Sequence, residues 1–322
     1  MDVVIILMAT YNGEAFIEKQ INSLICQSYT NWRMIIRDDG STDGTKNIIM
    51  NYLNIDSRIS FIENETDVKG ACENFSSLLA YIKTDGSFKY AMFCDQDDIW
   101  KKDKIEQSVN EIKKQEKAYP GQPILIYSDL ESMDEMDNLI EGSFKLKHKL
   151  SLRNLISFNY AYGCTMIFNR PLIIEVGEIP ALAENHDYWM GLVASIYKSS
   201  FLNQKLLRYR RHNSNVSGNV VGNNNLIARL KRHVIAPKGE VRTLQKRLVM
   251  LSGFYKSYQS LLTSDNKKML YMYLKAFEKG RLKVCYIMLT KRIFRRGFFQ
   301  TLSSFYQIIF FYNKIKNFAS VN

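Results

Sequence analysis

Residues 33–54, "RMIIRDDGSTDGTKNIIMNYLN", decide the fold. A short apolar run halts at two acids, a turn rich in Gly, Ser and Asp follows, and a helical segment begins at Thr45. The same unit is written on either side. Upstream, "VVIILMA" (3–9) is a continuous apolar run, as expected for a strand buried on both faces of a sheet. Polar "TYNGE" then leads into "AFIEKQINSLICQS", where Phe16, Ile17, Ile21, Leu24 and Ile25 recur at helical spacing. Downstream come strand "ISFIEN", helix "CENFSSLLAYIK" and strand "YAMFC". Strand and helix alternate, which predicts an α/β fold with a mostly parallel central sheet and right-handed crossovers.

Open sheets of this kind bind ligands beyond the carboxyl ends of their strands. Three polar segments fall at such ends: "TYNG" (10–13), "DDGSTD" (38–43) and "CDQDD" (94–98). The last crowds Asp95, Asp97 and Asp98 into four positions, and burying like charges together is costly unless something compensates. No Cys/His set has zinc spacing, whereas an oxygen-rich cluster suits Mg²⁺ or Mn²⁺. Such an ion would neutralise the acids and stabilise a departing phosphate. The competing reading is an acidic loop capping the helix "KKDKIEQSVNEI". In "RDDGSTDGT" the acids and Ser41 either accept from a nucleobase imide or merely build a turn and helix cap, with Gly40 and Gly44 permitting tight turns. Thr10, Tyr11 and Asn12 suit a nucleotide ring and ribose, a weaker signal.

Further along, strand "PILIYSDLESMD", helix "LSLRNLISF" and strand "GCTMIFNRP" are expected, followed by "ENHDYWMGLVASIY" and "KLLRYRRHNSNVSG". The Gly/Asn stretch "SGNVVGNNN" (217–225) reads as a linker. It divides the chain into an α/β region, 1–225, and a basic, mainly helical region, 226–322. The net charge of +12 divides with it. Residues 1–225 carry 24 Lys and Arg against 29 Asp and Glu, whereas residues 226–322 carry 20 against three. A basic, aromatic-rich helical tail suits an anionic membrane interface, and a homo-oligomer interface is the alternative. The five cysteines show no paired spacing and read as reduced, mostly buried residues of a cytoplasmic protein. The opening "MDVVIILMATYNG" reads as a strand rather than a signal peptide, and the longest uncharged run near the end, 297–313, falls short of a membrane span.

"ATYNGEAFIEKQINSLICQSYTNWRMIIRDDGSTDGT" resembles the opening of family 2 inverting glycosyltransferases with the GT-A fold, and "CDQDDIWKKDKI" resembles their metal-binding DxD element. "NHDYWMGLVAS" and "YRRHNSNVSG" resemble later elements of bacterial rhamnosyltransferase-like members. The resemblance spans residues 3 to about 218, with four motifs in the expected order. It implies that Thr10, Tyr11 and Asn12 line the nucleotide pocket, that Asp38 or Asp39 reads a pyrimidine imide and that Asp95 approaches the ribose. Gln96 and Arg211 join the donor set, and Lys69 and Asn74 are further donor contacts or else a solvated lysine and a capping Asn. Asp97 is the implied metal ligand, with His212 helping to hold the Mn²⁺ or Mg²⁺ or the diphosphate. Asp187 is the implied base that deprotonates the acceptor hydroxyl. Many relatives place Glu just before that base; here His186 stands there and the nearest acid is Glu184, so which carboxylate points inward is open. Trp189 reads as core or as an acceptor-stacking wall.

A single displacement needs one base on the acceptor side and electrophilic help for the leaving group, from a metal, His212 or the arginines at 208, 210 and 211. Two carboxylates flanking one bond would instead indicate hydrolysis. The implied reaction moves a sugar from a nucleoside-diphosphate sugar, dTDP-L-rhamnose or a UDP-hexose, to a glycan or lipid-linked glycan of a bacterial surface polysaccharide. A sugar-nucleotide nucleotidyltransferase would want a basic Gly-rich loop after the first strand, which "MATYNGEAF" lacks. A nucleic-acid-binding protein would leave the acidic crevice unexplained, so no nucleic acid partner is expected.

Overall fold

The computed structural model describes residues 2–141, 150–181, 183–212, 238–295 and 297–319. The expected linker at 217–225 lies outside the described residues, as does the basic cluster at 228–233.

The expected units form in order: β1 (Val4–Thr10), α1 (Ile17–Ile25), β2 (Trp32–Asp38), α2 (Thr45–Ile55), β3 (Ile59–Glu63), α3 (Ala71–Lys83) and β4 (Tyr90–Asp95). The strands lie in the order β3-β2-β1-β4, all parallel. Their register sets Thr10 beside Asp38 and Ala9 beside Asp95, so the three polar segments leave the sheet along one edge. Side chains alternate between two cores, as the period of a strand requires. Val4, Ile6 and Met8 meet Met92 and Cys94 in one core with Ile17, Ile21 and Ile105. Ile5, Leu7, Ala91 and Phe93 face the other. That two-sided cover is why β1 carries no polar residue before Thr10.

Beyond β4 the sheet is mixed. The chain forms β5 (Ile99–Trp100), α4 (Lys104–Ala118), β6 (Ile124–Met133), β7 (Leu139–Ile140), α5 (Leu152–Leu155) and β8 (Met166–Asn169). It continues through α6 (Arg170–Val176), α7 (His186–Ala194) and β9 (Lys198–Arg210). β8 inserts antiparallel between β4 and β6, β9 runs parallel to β6, and β5 pairs antiparallel with β9. The α/β expectation holds, with its parallel character confined mainly to the first four strands. The helix expected at "LSLRNLISF" shrinks to the four residues of α5. β9 shows little strand signal in the sequence, because its first half is polar and partly exposed and its pairing with β6 shifts register twice.

Four helices complete the described chain: α8 (Lys238–Tyr258), α9 (Ser264–Lys279), α10 (Arg281–Thr290) and α11 (Phe298–Ala319). α8 docks on α7, where Trp189 stands edge-on to Phe254 and Tyr258 with ring centroids 6.2 and 6.0 Å away. Leu251 and Phe254 are fully buried in the same core as Leu7 and Phe93. No described helix is long and apolar enough to cross a membrane.

Candidate active site

The floor of the crevice is a set of locked turns. Asp38 ends β2 and is fully buried. Its Oδ1 accepts from the backbone N–H of Gly40 and Ser41 (3.1 and 2.7 Å), and its Oδ2 accepts from the hydroxyls of Ser41 (2.6 Å) and Thr10 (2.9 Å). An Asp with this many donors builds its own turn, and Gly40 supplies the positive φ of 85° that the turn requires. Asn12 likewise takes a left-handed φ of 45°; its N–H donates to Ser41 Oγ (2.8 Å) and its Oδ1 accepts from Thr42 N (2.9 Å). Asp39 is buried, accepting from Asn64 Nδ2 and Gly70 N, each at 2.6 Å. The β1–α1 and β2–α2 turns are therefore stitched together before any ligand arrives.

Gln96 stitches in the third turn. Its side-chain amide forms a two-point clamp on the Tyr11 backbone: Oε1 accepts from Tyr11 N and Nε2 donates to Tyr11 O, both at 2.9 Å. A Cβ at Gly13 would lie 2.3 Å from that Oε1, so glycine is what lets the amide in. The Tyr11 ring is left 52% exposed over the crevice. Lys69 is exposed and its Nζ overhangs Gly40. Asn74 is buried, donating to Arg37 O (3.0 Å) and Thr10 O (3.4 Å) and accepting from Arg37 Nη1 (3.0 Å). It ties β1 to β2 from within α3 rather than capping that helix, whose N-terminal flank is Gly70.

The acid cluster divides its labour. His212 Nε2 lies 2.7 Å from Asp97 Oδ2, joining the two residues that the motifs pair as metal holders. Asp98 turns inward and is fully buried; Oδ1 accepts from Arg210 N (3.2 Å), while Oδ2 has no hydrogen-bond partner. One oxygen each of Asp95 and Asp98 and the Cys164 Sγ lie within 4.8 Å of one another. Burial first, then the Asp97 and Asp95 charges, pushes the Asp98 carboxyl well above its usual range. Asp95 keeps part of its surface open to the crevice, and it too is raised, by burial, then Asp97, then Asp187. Two raised carboxylates, Asp95 and Asp98, the latter with a buried oxygen lacking a partner, suit a site that a divalent cation would neutralise. The Cys164 thiol, whose pKa is likewise driven well up by burial, is a poor ligand for a hard ion.

Asp187 lies beside the acid cluster: its Oδ2 accepts from Gly163 N, and Cys164, the residue after that glycine, has its Sγ within 4.8 Å of oxygens of Asp95 and Asp98. Asp187 sits in the first turn of α7, with the bond from Gly163 N at 3.0 Å and Oδ1 buried without a hydrogen-bond partner. Burial pushes its carboxyl up to about 6; the backbone N–H groups of Gly163 and Tyr188 oppose the rise and the Glu184 charge adds to it. The acid that competes with it in the sequence points elsewhere. Glu184 receives a two-pronged bond from Arg247 of α8, Nε to Oε2 at 2.8 Å and Nη2 to Oε1 at 2.9 Å. His186 is a core histidine, stacked on Phe75 at 4.0 Å and edge-on to Phe93 at 4.7 Å, with burial lowering its pKa to about 3. Trp189 is core as well, 2% exposed, its Nε1 donating to Val176 O (3.3 Å).

Of the three arginines, Arg210 is wholly buried and clamps the cluster from behind. Its Nε donates to Asp97 O (2.8 Å), and Nη1 reaches the carbonyls of Asp134 and Glu135 (3.2 Å each) and pairs with Asp137. Arg211 is half-buried beside Tyr162 and Tyr209, and burial lowers its pKa. Arg208 is 44% exposed, near Glu131. Sequence reasoning missed Lys104, Cys164 and Gly163. Lys104 opens α4 yet is wholly buried, its Nζ unpartnered and 4.5 Å above the Trp100 ring; burial lowers its pKa to about 8, while Cys164, Cys94 and Asp98 oppose the fall. Nothing in "KKDK" separates it from solvated neighbours. A lone Gly163 24 residues before the acid carries no local pattern at all.

Comparison with known proteins bears on the fold and the family. The putative teichuronic acid biosynthesis glycosyltransferase TuaG of Bacillus subtilis is 28% identical over 217 residues, 66% of this chain and 81% of that protein. The dTDP-rhamnosyl transferase RfbG of Shigella flexneri is 29% identical over 227 residues, 66% of this chain and 73% of that protein. Among solved structures, S. aureus TarS 1–349 in complex with UDP-GlcNAc superposes with a TM-score of 0.61 at 15% identity, covering 100% of this chain and 90% of that one. The mannosyltransferase PcManGT of Pyrobaculum calidifontis, in complex with GDP-Man and Mn²⁺, gives a TM-score of 0.55 at 13% identity, covering 99% of this chain and 86% of that one. The model of glycosyl transferase family 2 matches residues 5–177, more than half of the chain. The chain thus belongs to glycosyl transferase family 2 and is a glycosyltransferase.

Proposed function

We propose that this enzyme transfers a sugar, with inversion, from a nucleoside-diphosphate sugar to a hydroxyl of a growing, lipid-linked bacterial surface polysaccharide at the cytoplasmic face of the membrane. The observation that carries the reading is that the acidic cluster at the end of β4 and the buried Asp187 meet around one turn, Asp187 on Gly163 N and Asp95 and Asp98 around the adjacent Cys164. Asp187 takes the proton of the acceptor hydroxyl, the acceptor oxygen bonds the anomeric carbon, and the bond from that carbon to the diphosphate oxygen breaks. A carboxylate with a pKa near 6 is ionised at pH 7 yet more basic than a free one, which suits a general base. The inward place of Glu184 in the ion pair with Arg247 leaves Asp187 as the acid on the acceptor side.

Asp97 and His212, whose side chains meet at 2.7 Å, would hold Mn²⁺ or Mg²⁺. Such an ion neutralises the departing diphosphate when bound. The stitched turns around Thr10, Asn12, Asp38 and Gln96 present a rigid floor for the nucleoside. Asp39 accepts two hydrogen bonds and retains acceptor capacity, since a carboxylate has about four lone-pair sites, whereas Asp38 already accepts four and serves to shape the floor. We take dTDP-L-rhamnose as the first donor to test, because a dTDP-rhamnosyl transferase is among the relatives; UDP-sugars follow, because TarS binds UDP-GlcNAc. The test is a thermal-shift panel of nucleotide sugars with and without Mn²⁺. One donor should raise the melting temperature only with metal, because a ligand that binds the folded state alone stabilises it. Asp97→Ala should abolish that shift. Asp187→Asn should keep the shift and lose transfer, and normal turnover in that variant would refute the assignment.

A further inference from the structure

The solvent face of α10 and α11 is built against the usual rule. A helix on the outside of a protein turns one apolar stripe to the core and polar groups to water. α10 does bury a stripe, Val284, Ile287 and Met288. Its opposite face, however, carries Leu282, Tyr286 and Leu289, which are 77%, 55% and 57% exposed. Their spacing of four and three residues puts them in one row. The row continues on α11 with Phe298, Leu302 and Phe310, four and eight residues apart and 77%, 53% and 66% exposed. Single exposed apolar residues are ordinary, but rows of them on two neighbouring helices mark a surface that meets something.

Charge says what. From residue 279 to the end the sequence has nine Lys and Arg and no Asp or Glu. Lys283 and Arg292 are exposed beside the row, Lys283 lying 4.9 Å over the Tyr286 ring. A second copy of this face would set cation against cation, which disfavours self-association. No described helix can cross a bilayer, so a lipid partner must be met side-on. An apolar row that enters the acyl boundary, rimmed by cations at headgroup level, is the design of an interfacial helix.

We infer that the α10–α11 face docks on an anionic phospholipid bilayer, with Leu282, Tyr286, Leu289, Phe298 and Leu302 inserted and Lys283 and Arg292 on the headgroups. The inference deepens the proposed use of a lipid-linked acceptor but stands on this surface alone. The experiment is sedimentation of the full chain with phosphatidylglycerol-containing and pure phosphatidylcholine vesicles, at 0.1 and 0.5 M NaCl. We expect binding to the anionic vesicles that is at least tenfold stronger than to neutral ones and weaker at high salt. Leu289→Gln/Phe298→Gln/Leu302→Gln should lose at least tenfold, and Lys283→Glu/Arg292→Glu should lose the preference for anionic lipid. Both variants change exposed residues, and a wild-type melting temperature with an unchanged donor-induced shift shows that fold and sugar-nucleotide binding are intact. That readout also separates failure here from failure of the proposed reaction. Equal binding of wild type and variants overturns the inference. So do a wild-type dimer that the Gln variant makes monomeric, or RNA that displaces the protein from vesicles through the same residues.

Discussion

Asp187→Asn should make the enzyme inactive and, above pH 6, more stable. Burial lifts the Asp187 carboxyl from 3.8 to about 6, which corresponds to about 3 kcal/mol of cost in keeping it ionised in the folded state. The sign follows from proton binding. Between the two pKa values the folded protein holds a proton that the unfolded chain has released, so stability falls as pH rises from about 4 to about 6 and stays lowered above. Asn carries no charge at any pH and escapes the loss. Its Oδ1 can still accept from Gly163 N, but its NH₂ takes the place of an oxygen already without a partner. That buried donor offsets about 1–2 kcal/mol of the gain, leaving about 1–2 kcal/mol, or roughly 1.5–3 °C in melting temperature for a chain of this size. Differential scanning fluorimetry from pH 4.5 to pH 8 reads it without any substrate. The two melting curves should converge towards pH 4.5 and separate through pH 6. A variant no more stable than wild type at pH 8 would show that Asp187 is not held ionised at a cost, and the reasoning for its basicity would fail with it.

His186 should act in the opposite sense: with its pKa lowered to about 3, it binds fewer protons folded than unfolded, so stability is lost as pH falls below about 6.5, and His186→Phe should flatten that acid limb in the same scans. Arg247→Met strands a nearly buried Glu184 and should cost about 3–5 kcal/mol in urea unfolding, with Glu184→Gln added to it restoring part of the loss. Gln96→Ala removes both bonds to the Tyr11 backbone, costing about 1–3 kcal/mol, and should shrink the donor-induced thermal shift; Gly13→Ala should do the same by displacing the amide. With the donor identified, transfer rate should rise with pH through about 6 and level off, as protonation silences the Asp187 base.

The first half of the fold was legible because its signals are local. A strand covered on both faces leaves an unbroken apolar run, and β1 and β4 do so. The acids at 95–98 were legible as a cluster because they follow such a run directly. Their division was not: that Asp97 meets His212 while Asp98 turns inward depends on β9 returning beside β6 and β5. β9 is polar at its start and bulged, so it writes no clean period. Buried Lys104 and Arg210 were hidden for a related reason. Their sequence neighbours are ordinary surface cations, and only the packing of α4 and β9 behind the cluster separates them. The choice between Glu184 and Asp187 likewise rested on Arg247, 63 residues downstream of Glu184, at a distance no short motif spans.

Cys94 and Cys164 flank the inner face of the acid cluster, wholly enclosed and with thiols held protonated, whereas Cys26 lies in the open. The molecule thereby carries its own chemical stopwatch. An alkylating reagent will tag Cys26 at once and the two inner sulfurs only in the instants when the strand ends part, so a mass-spectrometric time course counts how often the crevice breathes, and how far a sugar nucleotide holds it shut.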